Sequence, residues 1–104
     1  MIIHEFKTKE YHYCLYSYLD DKETCYIANV EVYQEYRGKG YGNKLLLDIL
    51  DKVKEYGYKN IILKCFRNSW KYLWYQRHGF RFYCTDNDEP KYYDWLKYNL
   101  KGQL

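Results

Sequence analysis

The chain has 104 residues, 47% of them hydrophobic and 30% charged, with a formal net charge of +3. This is the composition of one small globular domain spanning residues 1–104. It excludes a largely disordered chain and a dedicated nucleic-acid binder, which carries denser positive charge. No apolar run approaches the ~20 residues of a membrane span, and the start lacks a signal-peptide pattern. We expect a cytoplasmic protein with no membrane or nucleic-acid partner.

The first third of the chain predicts three antiparallel strands. Residues 2–7, 11–19 and 24–33 alternate in polarity, and a polar turn at residues 20–23 separates the second strand from the third. The chain has 16 tyrosines, which raise its aromatic fraction to 22%. Because tyrosine buries a ring and keeps its hydroxyl in water, it suits strands that are covered on one face only.

The pattern then changes to a helical period. Over residues 41–56 the apolar positions form one stripe, and Gly57 follows where a left-handed residue ends a helix; the stripe comprises Leu45, Leu46, Ile49, Leu50 and Val53. Such an amphipathic helix packs its apolar stripe on the predicted sheet.

The second half predicts a strand, a short helix and two further strands. The strands fall at residues 61–66, 80–84 and 91–100, and Asn68 or Ser69 caps a helix that runs to His78 before Gly79. The element order is β-β-β-α-β-α-β-β, an α/β chain of the α+β type. Its central β-α-β passage implies one parallel strand pair within a mixed sheet.

Cysteine usage gives no sign of a disulfide or a metal site. No pair among the four cysteines has C-x-x-C spacing, and no histidine stands at ligand-like spacing from them; the cysteines are Cys14, Cys25, Cys65 and Cys84. Each lies among alternating residues, where reduced cysteine acts as a small buried hydrophobe. We expect free thiols and no metal ion.

A glycine-rich loop between the third strand and the first helix predicts a phosphate site. Gly38, Gly40 and Gly42 let an anion approach backbone N–H groups without a Cβ in the way. The helix that follows adds the positive end of its dipole, and Arg37 and Lys39 add formal charge. These features together favour a diphosphate ligand.

The spacing of the loop excludes two common nucleotide motifs. A dinucleotide fingerprint needs a glycine where Asn43 stands, and a P-loop needs Gly-Lys-Ser/Thr on a longer loop. The pattern present is Arg37-x-x-Gly40-x-Gly42. By itself this pattern also fits a glycine-rich turn that binds nothing.

Two motifs in order resemble the GNAT family of N-acetyltransferases. The stretch from Val30 to Gly42 resembles the cofactor-binding segment of that family, and Asn68, followed seven residues later by Tyr75 and closed by Gly79-Phe80, resembles its second motif. The resemblance covers roughly residues 26–83. The overall outline is similar to the shortest members, which include phage-encoded anti-CRISPR acetyltransferases.

The resemblance implies acetyl-coenzyme A as cosubstrate and assigns its contacts. Backbone groups of Val30, Glu31 and Val32 would pair with the pantetheine arm where two strands separate. Asn68 would touch the cofactor, and the Tyr75 hydroxyl would lie near its sulfur. The pyrophosphate would rest on the loop amides, which belong to Arg37, Gly38, Lys39, Gly40, Tyr41 and Gly42.

The implied reaction is direct attack of an amine on the thioester. A strand N–H, for which Val32 is the candidate, would stabilise the oxyanion, and Tyr75 would protonate the departing thiolate. Tyr75 as a packing residue is the structural alternative. The acceptor stays open between a protein lysine, a protein N-terminus and a small-molecule amine.

The chain departs from the family in two ways. The usual helices before the first hairpin are absent, so the acceptor site is open or a second copy closes it as a homodimer. A carboxylate or histidine is expected on the third strand as general base, yet Tyr26 and Ala28 stand there. Glu31 is the nearest catalytic candidate, although alternation turns it to the opposite face unless a bulge intervenes. A water relay or an already neutral amine would also serve.

Two other functions compete with this hypothesis. The missing strand carboxylate favours a domain that binds acyl-coenzyme A without catalysis. The abundance of tyrosine and lysine would suit a basic, aromatic interaction module, although these residues are spread over every element.

Overall fold

A computed structural model describes residues 1–100. It contains, in chain order, β1 (Ile2–Lys7), β2 (Tyr11–Ser17), β3 (Thr24–Val32), a 3-10 turn (Gln34–Tyr36), α1 (Tyr41–Glu55), β4 (Asn60–Phe66), α2 (Trp70–Arg77), β5 (Arg81–Thr85) and β6 (Tyr93–Asn99). This order confirms the mixed α+β fold that the sequence predicts.

Two strands are shorter by two or more residues than the sequence predicts, and turn hydrogen bonds explain both differences. β2 ends at Ser17 because the Tyr18 carbonyl accepts from the N–H of Asp21, 3.1 Å away, which closes a turn. β6 begins at Tyr93 because the N–H groups of Tyr92 and Tyr93 donate to the Glu89 carbonyl.

The six strands form one mixed sheet in the order β1-β2-β3-β4-β6-β5. Only β3 and β4 run parallel, and every other neighbouring pair is antiparallel. The parallel pair follows from α1, which carries the chain back to the starting end of β3 before β4 begins.

The core lies between one face of the sheet and the two helices. The predicted stripe of α1 is buried at Leu45, Leu46, Ile49 and Val53 and meets the inward residues of the strands; these include Tyr13, Leu15, Cys25, Ile27, Ile61, Leu63 and Leu96. α2 adds Tyr72 and Tyr75 to the same core. Both helices therefore cover the same face.

The opposite face of the sheet, here called the outer face, is rich in aromatic rings. Tyr16 and Tyr26 stack with centroids 5.0 Å apart, and the edge of Trp95 meets Tyr26 at 6.1 Å. These rings cover Ile62, which is only 6% exposed although it points away from the helices. The high tyrosine content thus shields the second face of a thin, two-layer protein.

The helix ends follow the sequence signals. Gly57, with φ +85°, follows the end of α1 in the left-handed region, as its position predicts. Of the two candidate caps for α2, Ser69 is the one used, because its Oγ accepts from the N–H of Tyr72 at 3.2 Å. Asn68 instead forms the turn before the cap, with φ +60°.

The cysteines are free thiols in this structure. Cys14, Cys25 and Cys65 are buried as small hydrophobes, as predicted, but Cys84 is exposed because β5 is an edge strand with all five residues exposed. Within residues 1–100, no cluster of three or more His, Cys, Asp or Glu side chains is placed to hold a metal ion. None of the helices in that range is long and apolar enough to cross a membrane.

We predict that the protein loses stability as the pH rises through and beyond the ordinary tyrosine range near ~10. Burial is the main cause that raises the pKa of six tyrosine hydroxyls. A hydrogen-bonded carboxylate raises the pKa further for three of them, Asp48 for Tyr11 and Tyr13 and Asp94 for Tyr72. The six are Tyr11, Tyr13, Tyr16, Tyr26, Tyr72 and Tyr75. When the pKa of a hydroxyl is higher in the folded than in the unfolded protein, its contribution to stability is fully present at pH values below the unfolded-state pKa. That contribution is lost as the pH rises through the folded-state pKa.

The measurement is tyrosinate absorbance against pH in the native and the urea-unfolded protein. About six of the tyrosines should ionise late, and only with loss of structure. A native titration that coincides with the unfolded one would contradict the burial of these hydroxyls. The free energy of urea unfolding, compared at pH ~8 and ~11, should fall in parallel.

Candidate active site

The parallel strands β3 and β4 separate partway along their length. Their pairing runs from Thr24 opposite Asn60 to Tyr26 opposite Ile62, and within residues 1–100 it extends no further, although β3 continues to Val32. The far half of β3 therefore presents one edge that no strand covers. Unpaired strand edges attract other chains or ligands that carry amides.

The backbone groups of Val30 and Val32 face this uncovered edge. The N–H of Tyr33 donates to Glu10 at 2.9 Å, on the β2 side. Because successive residues of a strand point their N–H and C=O to alternate sides, Val32 points toward β4. The Arg37 Nε donates to the Val32 carbonyl at 2.9 Å, and the Lys71 Nζ to the Val30 carbonyl at 3.4 Å, both from that side.

The glycine-rich loop leads directly into α1. Gly38 and Gly40 have φ +77° and +86°, and a Cβ built on either would meet no atom within 4 Å. Gly40 occupies the N-cap position of α1, where the first N–H groups of a helix lack internal partners. A Cβ on Gly42 would lie 3.7 Å from the Trp74 ring, so the start of α1 lies beside α2.

A groove of about 380 Å³ joins the open strand edge, the loop and α2. It brings together most of the residues predicted from the sequence, namely Val30, Glu31, Val32, Arg37, Gly38, Gly40, Tyr41, Gly42 and Tyr75. Here it is called the inner groove. The geometry thus places the strand edge, the glycine loop and the helix tyrosine in one cavity.

Two predicted cofactor residues do not line the inner groove. Lys39 is exposed, with its Nζ 5.9 Å from the centroid of the Tyr36 ring. Asn68 is exposed in the turn before α2. Contact of Lys39 and Asn68 with a cofactor stays a prediction.

Five lining residues were not identified from the sequence; these are Tyr36, Leu45, Trp70, Lys71 and Trp74. Helical spacing carries a signal for two of them. Lys71 precedes Tyr75 by four residues and Trp74 by three, so these three side chains share one side of α2. The other three, Tyr36, Leu45 and Trp70, reach the groove only through tertiary packing, which the sequence pattern does not reveal.

Tyr75 is 5% exposed and packs edge-on against Trp74 and Phe80. Burial, and secondarily the thiol of Cys65, raises the pKa of its hydroxyl. Within residues 1–100 this hydroxyl has no hydrogen-bond partner, and no fully enclosed side-chain N or O atom in that range lacks one. The Tyr75 hydroxyl therefore keeps some exposure, and Tyr75 lines the groove.

A bulge in β3 corrects the orientation that simple alternation gives to Glu31. β2 advances two residues, from His12 to Cys14, while β3 advances three, from Glu31 to Ala28. Asn29 is at the extra position, with φ +56°. Beyond it Val30 and Val32 pack toward the core, so Glu31 turns to the outer face that also carries Tyr26 and Ala28. Glu31 thus reaches the face on which a strand carboxylate was expected.

Comparison with known proteins agrees with this geometry. A model of the acetyltransferase (GNAT) family matches residues 11–80. No curated protein sequence matches the chain.

The fold is shared with crystal structures of acetyltransferases. A GNAT enzyme from Elizabethkingia anophelis with acetyl-CoA bound is 24% identical, with a TM-score of 0.75 over 94% of this chain and 75% of that chain. An acetyltransferase from Bacillus subtilis in complex with CoA is 23% identical, with a TM-score of 0.77 over 94% and 76%. One from Bacillus cereus is 25% identical, with a TM-score of 0.71 over 95% and 72%. The chain belongs to the GNAT acetyltransferase family.

Proposed function

We propose that this protein transfers the acetyl group of acetyl-CoA to a primary amine. The observation that supports this most strongly is the single groove that contains the uncovered edge of β3, the glycine loop and the hydroxyl of Tyr75. The related fold of enzymes crystallised with acetyl-CoA or CoA supports the choice of cosubstrate.

The pantetheine arm would bind as a short extra strand. Its amides can pair with the N–H and C=O of Val30 and with the C=O of Val32, which β4 leaves uncovered. The Val30 carbonyl now accepts from Lys71 and the Val32 carbonyl from Arg37, so these side chains must move or share their acceptor. Each released cation would lie beside the incoming phosphates.

The pyrophosphate would bind at the glycine loop. Gly38 and Gly40 border open space on the side where a Cβ would project, and α1 begins immediately after them. Loop amides and the helix N-terminus then meet the phosphate oxygens directly. In this arrangement the rest of the cosubstrate points its thioester along β3 toward Tyr75.

The chemistry is a single acyl transfer. The amine nitrogen bonds to the acetyl carbon, the carbon–sulfur bond breaks, and the thiolate takes a proton from the Tyr75 hydroxyl. The new amide nitrogen then loses a proton, which restores the Tyr75 hydroxyl. The N–H of Val32, directed at the gap between the strands, would stabilise the oxyanion. Because the pKa of Tyr75 is raised, the hydroxyl keeps its proton throughout the neutral and mildly alkaline range.

Glu31 would accept a proton from the ammonium of the acceptor, so that the neutral amine can attack. The bulge turns its carboxylate to the outer face, and the residue still borders the inner groove. The proposal therefore separates the two proton transfers. Tyr75 acts from the helix side and Glu31 from the opposite side of β3.

We predict that Gly40→Ala weakens acetyl-CoA binding at least tenfold, whereas Gly57→Ala does not. The two glycines have nearly equal φ angles, +86° and +85°, they flank the same helix, and neither Cβ would meet an atom within 4 Å. Both substitutions should therefore cost a similar ~1 kcal/mol of folding stability. Only the Cβ at Gly40 enters the proposed phosphate site.

Calorimetric titration with acetyl-CoA and thermal unfolding check this pair together. Equal dissociation constants for the two variants would remove the pyrophosphate from the loop. If both variants lost affinity for acetyl-CoA in proportion to their loss of thermal stability, the effect of Gly40→Ala would be only structural.

We predict that Tyr75→Phe lowers kcat by ~10²–10⁴ while the affinity for acetyl-CoA changes little, because the variant keeps the ring and loses only the proton donor. Tyr72→Phe is the matched control. It lies one turn earlier in α2 and is also buried, but its hydroxyl donates to Asp94 at 2.9 Å and it does not line the groove. That variant should lose stability and keep its turnover.

Steady-state rates of thiol release with an amine acceptor, at saturating acetyl-CoA, measure the effect. Unchanged turnover in Tyr75→Phe would make Tyr75 a packing residue. If the unaltered protein binds acetyl-CoA but releases no thiol with any amine, the chain is a binding domain and the proposed function is wrong.

A further inference from the structure

A second groove, of about 480 Å³, lies over β1, β2 and the far half of β3. Its polar lining comes from Glu5, Lys7, His12, Cys14, Asn29, Glu31 and Tyr33. Here it is called the outer groove. Val30 and Glu31 line both grooves, so the two cavities lie on opposite faces of the same stretch of β3, just beyond the bulge.

The strand register sets the order of the charged side chains in the outer groove. Lys7 is opposite His12, and His12 is opposite Glu31, so the three stand side by side across β1, β2 and β3. Glu5 precedes Lys7 by two residues on β1 and therefore shares its face. Neighbouring strands are ~4.8 Å apart, which puts Glu31 roughly 10 Å from the β1 pair.

The charges in the outer groove are not neutralised by one another or by their neighbours. The ion pairs within residues 1–100 join Lys59 to Glu23, Lys64 to Asp86 and Glu89, and Arg67 to Asp94, and none includes a residue of this groove. The His12 ring has only an aromatic contact, 5.6 Å from that of Tyr33. Two carboxylates, one ammonium and an imidazole thus remain available to a ligand.

We propose that the outer groove is the acceptor site and that it takes a small free amino acid with a second, terminal amine. The oppositely charged Glu5 and Lys7, ~7 Å apart along β1, match the ammonium and carboxylate of an amino-acid head group. Glu31, across the sheet, matches the terminal ammonium. The ligand, with two ammonium groups and one carboxylate, complements a site with two carboxylates and one ammonium.

This assignment rests on the proposed function, and its chemistry balances without any further reactant. The terminal ammonium gives a proton to Glu31, beside which His12 can hold the carboxylate or the amine by a hydrogen bond. The neutral nitrogen then bonds to the acetyl carbon beside the open edge of β3. The carbon–sulfur bond breaks, and coenzyme A leaves as a thiol with the proton from Tyr75. The new amide nitrogen loses its second proton, which restores the Tyr75 hydroxyl, and Glu31 releases its proton to water.

The head-group contacts separate this acceptor from the other amines. A lysine within a protein lacks the free α-amine and carboxylate that Glu5 and Lys7 would bind. A diamine lacks the carboxylate, and an ω-amino acid without an α-amine lacks the partner for Glu5. The lysine within a protein therefore removes both head-group contacts, and each of the other two amines removes one.

The experiment compares kcat/KM for L-lysine with that for cadaverine, 6-aminohexanoate and an internally placed lysine in a neutral peptide, each at saturating acetyl-CoA. L-lysine should exceed each of the others at least fivefold. Lys7→Gln should raise the KM for L-lysine about fivefold, the size expected for one exposed charge pair. It should not raise the KM for cadaverine, which has no carboxylate for Lys7 to bind. Lys9→Gln, an exposed lysine outside the groove, is the matched control and should change neither.

A second readout does not depend on turnover. In the CoA-bound protein, L-lysine should shift the NMR signals of the His12 ring and of the Glu31 amide, and it should do so more weakly in Lys7→Gln. Equal or better use of cadaverine or the peptide would overturn the acceptor assignment while leaving acetyl transfer intact. The acceptor assignment would also be overturned if Lys7→Gln, like Lys9→Gln, left the KM for L-lysine unchanged. Absence of both acetylation and shifts with L-lysine would overturn it as well, and absence of any acetyl-CoA binding would overturn the proposed function too.

Discussion

The site depends on one feature, the loss of pairing between β3 and β4 beyond Tyr26 and Ile62. A sheet normally satisfies the backbone groups of an internal strand on both sides. Here β3 is internal at its start and becomes a free edge toward its end. The bulge at Asn29 occurs in that free half and reverses the direction of every side chain after it. The separation from β4 thus creates the open edge, and the bulge within the same half of β3 places Glu31.

The rest of the fold holds the two helices against this gap. Asp48 of α1 accepts hydrogen bonds from the hydroxyls of Tyr11 and Tyr13 on β2, at 3.2 and 3.0 Å, which anchors the helix that starts at the glycine loop. Asp94 of β6 performs the same task for α2, through Tyr72 at 2.9 Å and Arg67 at 2.7 Å. Arg67 and Tyr72 lower the pKa of the Asp94 carboxyl, so it stays ionised. Each helix is therefore tied to the sheet by one carboxylate.

Much of the fold could be predicted from the sequence, because hydrophobic period, glycine position and strand length determine each element locally. The loop residues were found because glycine spacing before a helix predicts an anion site, and Tyr75 was found through the resemblance to the family's second motif. Trp70 and Leu45 were missed because only the packing of α2 against α1 brings them to the groove. The direction of Glu31 was also missed, because a bulge adds one residue to β3 without any composition signal beyond an asparagine that tolerates φ +56°.

The central claim is that the uncovered edge of β3 and the glycine loop bind one cosubstrate together. Amide NMR spectra recorded during titration with CoA test this most directly, because they report each backbone N–H separately. The account predicts that the largest shifts fall on the amides of Val30, Val32, Gly38, Gly40 and Gly42, all with one dissociation constant. Shifts centred on the aromatic outer face around Tyr16, Tyr26 and Trp95, with the β3 edge unaffected, would contradict it.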